Sequence, residues 1–397
     1  MTNEHLRDLG PAFATGVLAA FVGFASSFAV VIQGLKGVGA SPEQAASGLM
    51  VASISMGLCG VLLSLRTRIP VSVAWSTPGA AFLATAAVPQ GGFGEAVGAF
   101  LICAVLIMLA GLVRPFGKIV AAIPTPLASA MLAGILLSLC LAPIKAIAFD
   151  PLLGLPIVIA WVVGGQINKL MAVPFALLAF FAVVAFGVAF PADWTDQLAA
   201  AAFTVPVWIA PSFSLEAALG IAFPLFVVTM ASQNIPGIAV LLANGYAPKT
   251  GPLLTTTGVF SFVGAPLGAH AVNLAAITAA MLTGEEAGKD PNKRYVAAII
   301  CGLAYVLFGL TAGMTTAFVS FAPGVLIEAV AGLALIAAFS GAALAAFSNE
   351  DMRMPAALTF LASASGVSIL GVSGAFWGLL GGWAIVAGLG AVNRTKI

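Results

Sequence analysis

Four short stretches put polar side chains inside otherwise apolar sequence. RIPVSVAWSTPGA (68–80) sets Ser76 and Thr77 directly before Pro78 and Gly79. TMASQNIPGIAVL (229–241) sets the amides of Gln233 and Asn234 before Pro236 and Gly237. GAPLGAHAVNLAAIT (264–278) holds His270 three residues before Asn273, and VLIEAVAGLALIAAF (325–339) carries one carboxylate, Glu328. A Ser or Thr followed by Pro is a helix start, with the hydroxyl as cap and the ring in the first turn. A helix start presents free N–H groups and roughly half a positive charge, so it holds an anion without any cationic side chain. The chemistry on offer is therefore anion binding, amide hydrogen bonding and proton exchange at one acid or one imidazole. Hydrolytic and phosphate-binding signatures are missing: there is no H-E-x-x-H, no G-x-S-x-G and no phosphate loop. The reading is of a non-enzyme with no cofactor and no metal. The four cysteines (Cys59, Cys103, Cys140, Cys301) share no spacing motif and read as reduced, buried and small.

The elements that must position these groups are set by lipid. The chain has 397 residues, 61% hydrophobic and only 7% charged, against about 25% charged in soluble domains. Too few charges exist to cover a soluble fold, so the composition reads as an all-α polytopic membrane protein. Net charge is +1, which implies neither nucleic acid nor an anionic surface as partner. Fourteen segments are expected, at 11–33, 44–65, 71–89, 94–113, 124–142, 152–167, 171–190, 214–243, 250–264, 268–284, 294–314, 324–347, 354–371 and 373–391. The stretch 194–204 reads as interfacial, with Trp194 and Trp208 at headgroup depth. An even count puts both termini on one side. Of the 15 Lys and Arg, only Lys36 and Lys145 fall on the other; Arg114, Lys118 and Lys396 are among those on the side of the termini. Basic residues mark the cytoplasmic face, so both termini are expected there.

The halves resemble each other. Aligning Pro70 with Pro266 lays RIPVSVAWSTPGAAFLAT over GAPLGAHAVNLAAITAAM. In the same order GASP (39–42) falls opposite GYAP (245–248), and PLASAMLAG (126–134) opposite GVLIEAVAG (324–332). Seven spans per half is an odd number, so the second half enters from the opposite side. This predicts a seven-plus-seven inverted repeat, residues 1–191 and 192–397. After each proline a short β-branched run reads as a brief strand, 71–75 in one half and about 267–272 in the other. The two strands are expected to cross and pair antiparallel, each leading into a half-helix (segments 3 and 10). Ser76 or Thr77 caps the first, Asn273 caps the second, and both N-termini point at one spot.

The motifs PVSVAWSTPGAA, TMASQNIPGIAVL and GAPLGAHAVNLAAIT resemble the benzoate/proton symporter family of bacterial inner membranes, along essentially the whole chain. That family is similar in fold to the uracil/xanthine permeases and the sulfate-permease transporters. The resemblance implies a core domain (segments 1–4 and 8–11) moving against a gate domain (segments 5–7 and 12–14). It also implies a small aromatic carboxylate imported with protons, and leaves a homodimer open. In the nucleobase relatives the eighth helix carries a carboxylate at the substrate; Gln233 occupies that place here. An amide tolerates an anionic substrate where a fixed negative charge would repel it, and it leaves proton coupling without the expected acid.

The implied site joins Ser76, Thr77, Pro78, Gly79, Gln233, Asn234, His270 and Asn273, with Phe24 and Phe28 in reach of an aromatic ring. Each residue has a plainer reading. The hydroxyls serve as caps, the buried amides as glue between helices, and a phenylalanine stripe faces lipid. Glu328 and His270 are the proton-coupling candidates. Glu328 is either a desolvated proton carrier or a carboxylate stabilised near a helix start at the water interface. An uncoupled anion channel or exchanger of the sulfate-permease kind is the competing function.

Overall fold

The computed structural model describes residues 3–113, 123–202, 204–369 and 372–394. Arg114 and Lys118, counted above in the charge asymmetry, lie outside them, as does Lys396. A helix lies within each of the fourteen segments. Among the described residues, seven helical stretches are long and apolar enough to cross a bilayer.

The first segment is two helices rather than one. α1 (Asn3–Ala25) stops at Ser26 and Ser27, and α2 (Phe28–Gly37) resumes. Ser27 donates its hydroxyl to the Gly23 carbonyl at 3.1 Å and accepts from the Trp75 indole at 2.8 Å. α3 (Pro42–Thr67) opens with a capping box legible in SPEQ: Ser41 accepts from the Gln44 N–H, and the Gln44 side chain accepts from the Ser41 N–H. Its last turn is closed by Arg68 in left-handed backbone, φ 57°. β1 (Val73–Trp75), α4 (Thr77–Thr85) and α5 (Phe93–Leu112) follow. Then come α6 (Thr125–Cys140), α7 (Ala142–Phe149), α8 (Pro151–Ile167), α9 (Ala172–Gly187) and the short α10 (Trp194–Ala200).

The second half opens on one long helical stretch, α11 (Leu215–Ala243), interrupted by π turns at Ala218–Ala222 and Met230–Asn234. It continues through α12 (Thr250–Gly264), β2 (Val272–Leu274), α13 (Ala276–Thr283), α14 (Tyr295–Leu310), α15 (Ala312–Ser320), α16 (Gly324–Phe347) and α17 (Arg353–Ala364). A two-residue hairpin pair, β3 (Ser368–Ile369) with β4 (Val372–Ser373), leads into α18 (Gly374–Arg394).

Helices pack in two groups. α3 lies on α14, α5 on α12, and α1 on α14. In the other group α6 carries α16 and α17, α17 carries α18, and α8 carries α9. The α3–α14 crossing shows why small residues recur. A Cβ on Gly57 would sit 2.4 Å from the Gly302 carbonyl oxygen, and one on Gly302 would sit 2.6 Å from that of Gly57. With no hydrophobic drive between helices in lipid, such close backbone approach is what holds them.

The half-strands depart from the expected ranges. The first is shorter than 71–75. The second begins five residues after its expected start, because Ala265–Leu267 forms a 3₁₀ turn and Gly268 (φ +89°) reverses the chain first. α13 therefore starts at Ala276, three residues later than the proline alignment predicts.

Candidate functional site

The site is built around a two-stranded ladder inside the helices. β1 and β2 pair antiparallel, Val73 opposite Leu274, Ala74 opposite Asn273 and Trp75 opposite Val272. The Ser76 N–H to the Ala271 carbonyl (3.0 Å) and the Ala275 N–H to the Ser72 carbonyl (3.1 Å) extend it at both ends. Extended backbone at membrane depth satisfies itself this way, away from lipid. Four strand residues, roughly 13 Å at ~3.3 Å each, separate Ser76 from Ala275 along the ladder. The two half-helix N-termini thus flank the ladder rather than meeting at one point.

The N-terminus of α4 is closed by protein. Ser76, fully buried, accepts from the Gly79 N–H at 3.1 Å, and the Thr229 hydroxyl donates to it at 2.9 Å. Pro78 contributes no N–H. A Cβ at Gly79 would lie 2.6 Å from the Leu225 side chain of α11 and 2.7 Å from the Ser76 hydroxyl, so the small residue lets cap and α11 approach closely. Thr77 is half-buried beside this cap. His270, also fully buried, contacts the Ser76 carbonyl through Nε2 at 3.2 Å. A carbonyl oxygen only accepts, so Nε2 carries the hydrogen and Nδ1 is a buried acceptor without a protein partner. His270 therefore belongs to the α4 end of the ladder.

The N-terminus of α13 is open. Ala275 stands at the cap position in extended backbone, and no side chain caps the helix. This corrects the expectation for Asn273. It lies in mid-strand opposite Ala74, its Nδ2 donates to the Leu274 carbonyl at 2.9 Å, and its Oδ1 is buried without a partner. The displaced start of β2 leaves it two residues before the cap.

α11 crosses both ends. Thr229 reaches Ser76, and one turn on, Asn234 accepts from the Leu274 N–H at 3.0 Å while its Nδ2 contacts the Met230 sulfur at 3.3 Å. Asn234 is thereby committed to holding β2. Gln233, next to it in the π turn, is half-buried, and no protein hydrogen bond to its amide is described. π turns interrupt helices at functional positions.

Phe24 and Phe28 do not form a lipid-facing stripe. Phe24 stacks on Phe28 (centroids 5.7 Å apart, planes at 14°) and lies against Trp75 at 5.4 Å and Phe308 at 5.3 Å. Phe21, one turn earlier, is exposed. Sequence reasoning missed Trp75, Thr229, Ser27, and the pair Ser72–Thr278, whose hydroxyls share a buried hydrogen bond of 2.7 Å. Trp75, directly before STPG, was the legible signal among them. Glu328 sits in the second turn of α16, half-buried, and no ion pair or hydrogen bond ties it to the ladder. Toward the C-terminal end of α4, the space among Phe82, Ile135, Ser363 and Ser373 narrows to about 20 Å³, room for about one water.

With this geometry in place, comparison with known proteins is informative. The family model described as benzoate membrane transport protein matches residues 9–387. The inner membrane protein YdcO of Escherichia coli is 37% identical over 94% of this chain and 94% of its own length. The benzoate membrane transport protein of Acinetobacter baylyi is 33% identical over 92% of this chain and 91% of its own. Among solved structures, the transmembrane domain of the cyanobacterial bicarbonate transporter BicA superposes with a TM-score of 0.61 at 16% identity, covering 95% of this chain and 97% of that one. The murine Solute Carrier 26 family member A9 anion transporter, in its inward-facing state, gives 0.67 at 13%, covering 97% of this chain and 68% of that one. At such identity these two speak for the fold alone.

Proposed function

This chain belongs to the benzoate membrane transport protein family, and we propose that it imports benzoate or a closely similar aromatic carboxylate together with protons, by alternating access. It is a membrane transporter and not an enzyme. On this reading fourteen spans form two inverted halves, 1–191 and 192–397, with both termini cytoplasmic in a bacterial inner membrane. Spans 1–4 and 8–11 form a core that moves against a gate of spans 5–7 and 12–14. The observation that carries the reading is the N-terminus of α13, which no side chain caps. A carboxylate completes that helix end through its N–H groups. On this reading Gln233 and Asn273 attend the carboxylate, Thr77 stands at the α4 end of the ladder, and the Phe24–Trp75–Phe308 cluster offers an apolar wall for a ring. Ser76, Pro78, Gly79, His270 and Asn234 hold this frame, and Phe28 backs Phe24.

A benzoate anion entering against a negative-inside potential opposes about 2.3 kcal/mol per 100 mV, which one accompanying proton cancels. Glu328 or His270 carries that proton. Glu328→Gln is expected to keep binding and exchange between the two faces but to lose uphill accumulation, whereas His270→Gln damages binding as well, because the segment leading into β2 lies beside the pocket. Uptake of radiolabelled benzoate into liposomes with and without an inward pH gradient tests the whole. Accumulation that ignores the gradient favours the second reading, an uncoupled anion channel or exchanger, for which the shared fold with anion and bicarbonate transporters speaks. Competition by benzamide equal to that by benzoate removes the anion site altogether.

A further inference from the structure

The far end of α13 carries a charge that the near end lacks. Arg294, only 8% exposed, donates from Nη1 to the carbonyl of Thr283, the last residue of α13, at 2.6 Å, and from Nε to the Gly288 carbonyl at 2.8 Å. These acceptors are carbonyls, not carboxylates. The loop between, GEEAGKDPNKR (284–294), has as many acids as bases. Yet Glu285, Glu286, Lys289 and Lys293 are exposed and Asp290 is half-buried, so water weakens their fields more than that of the shielded Arg294 without abolishing them. The loop is fixed in place: Thr15 of α1 donates to the Glu286 carbonyl at 2.7 Å, and Tyr246 to that of Pro291 at 3.0 Å. α4, the counterpart half-helix, ends at Thr85 with no basic residue in its last turn.

We infer that Arg294 is a charge-selectivity residue: acting along the axis of α13, it sets the preference of the open N-terminus for an anion over a neutral ligand of the same shape. The argument rests on the reading that a carboxylate occupies that N-terminus. A guanidinium on the last carbonyls cancels the negative pole of the helix, so the positive pole at Ala276 is felt without its opposing end. Eight residues span about 12 Å, which places the guanidinium roughly 15 Å from a bound carboxylate. At an effective dielectric near 20 the attraction amounts to about fivefold in affinity, ~1 kcal/mol. Arg294 touches no substrate; it acts through the helix.

The test reads the field at the N-terminus directly, with or without a substrate. In the full-length protein in nanodiscs, Ala276→Cys introduces a thiol in the first turn of α13. Its ionisation is followed by the pH profile of alkylation with iodoacetamide, resolved by peptide mass spectrometry from the native cysteines. Adding Arg294→Gln is expected to raise the thiol's proton affinity about fivefold, Arg294→Lys to preserve most of the parent value, and Glu286→Gln, which removes an exposed negative charge near the same helix end, to lower it. In the protein without the added thiol, Arg294→Gln weakens benzoate binding about fivefold by calorimetry and leaves benzamide unchanged. An unmoved thiol, or one that Arg294→Gln and Glu286→Gln move in the same direction, overturns the proposal even if benzoate binding falls. A thiol that shifts as expected in a protein that does not bind benzoate upholds the role of Arg294 and overturns the substrate reading instead. Should Arg294→Gln fail to fold, the directions given by Arg294→Lys and Glu286→Gln decide.

Discussion

The two half-helices share a plan and differ at their ends. α4 is sealed: Ser76 closes its first turn, Thr229 closes on Ser76, and His270 holds the Ser76 carbonyl. α13 is left open at its start, with alanines at the cap and first helical positions, and is gripped at its finish by Arg294. One arm of the ladder is therefore capped by protein, and the other has no side-chain cap at its N-terminus. Leaving one end without a cap costs about 1 kcal/mol, and in the function proposed above a carboxylate supplies the missing partner.

The sharpest way to break this comparison is to place a fixed charge at the open end. Gln233→Glu sets a carboxylate about 4 Å from a bound one, a repulsion of about 4 kcal/mol at an effective dielectric near 20. Benzoate affinity is expected to fall about a thousandfold at pH 8 and to recover in part in acid, as the new side chain protonates; an unchanged dissociation constant at pH 8 removes Gln233 from the site. Asn234→Ala comes next. It orphans the buried Leu274 N–H, at a cost of about 1–3 kcal/mol. Thermal stability without ligand should fall together with affinity, because β2 loses its tie to α11. Ser76→Ala is smaller, about 1 kcal/mol: it removes the α4 cap and the acceptor of the Thr229 hydroxyl, and should lower stability while changing affinity little.

Much of this was legible beforehand. STPG announced the α4 start because capping chemistry is local and Ser76 needs only its own helix. Antiparallel pairing of the two short strands followed from two proline-led runs that could satisfy each other and nothing else. The register in the second half was not legible. Gly268 adopts left-handed backbone after a 3₁₀ turn, and that inserts three residues relative to the first half. The shift turns Asn273 from a cap into a strand residue. That Asn234 rather than Gln233 holds β2 was not legible, for a related reason. Both amides looked alike in SQNIPG, and only the π turn, which adds a residue to one turn of α11, decides which faces β2. Trp75 was readable as an interfacial or core residue, but its indole bond to Ser27 depends on a break in the first span that Phe- and Ala-rich sequence does not advertise.

The smallest expected effect is the most direct probe of why the two arms differ. Ala275→Ser gives α13 the cap that α4 already has, at a position in extended backbone (φ −117°, ψ 130°) suited to capping. The new hydroxyl accepts from an N–H two or three residues on, the same groups proposed to hold the carboxylate. Without ligand the protein should gain about 0.5–1 kcal/mol, seen as a higher melting temperature. With benzoate that gain must be surrendered, because cap and ligand compete for the same donors. Affinity should therefore fall about two- to fivefold, by the same free energy. The two changes have opposite signs and equal size, which a general loosening of the site does not produce. If Ala275→Ser raised the melting temperature and left benzoate affinity unchanged, the N–H groups of α13 would not be ligand donors, and the open end of the ladder would need another explanation.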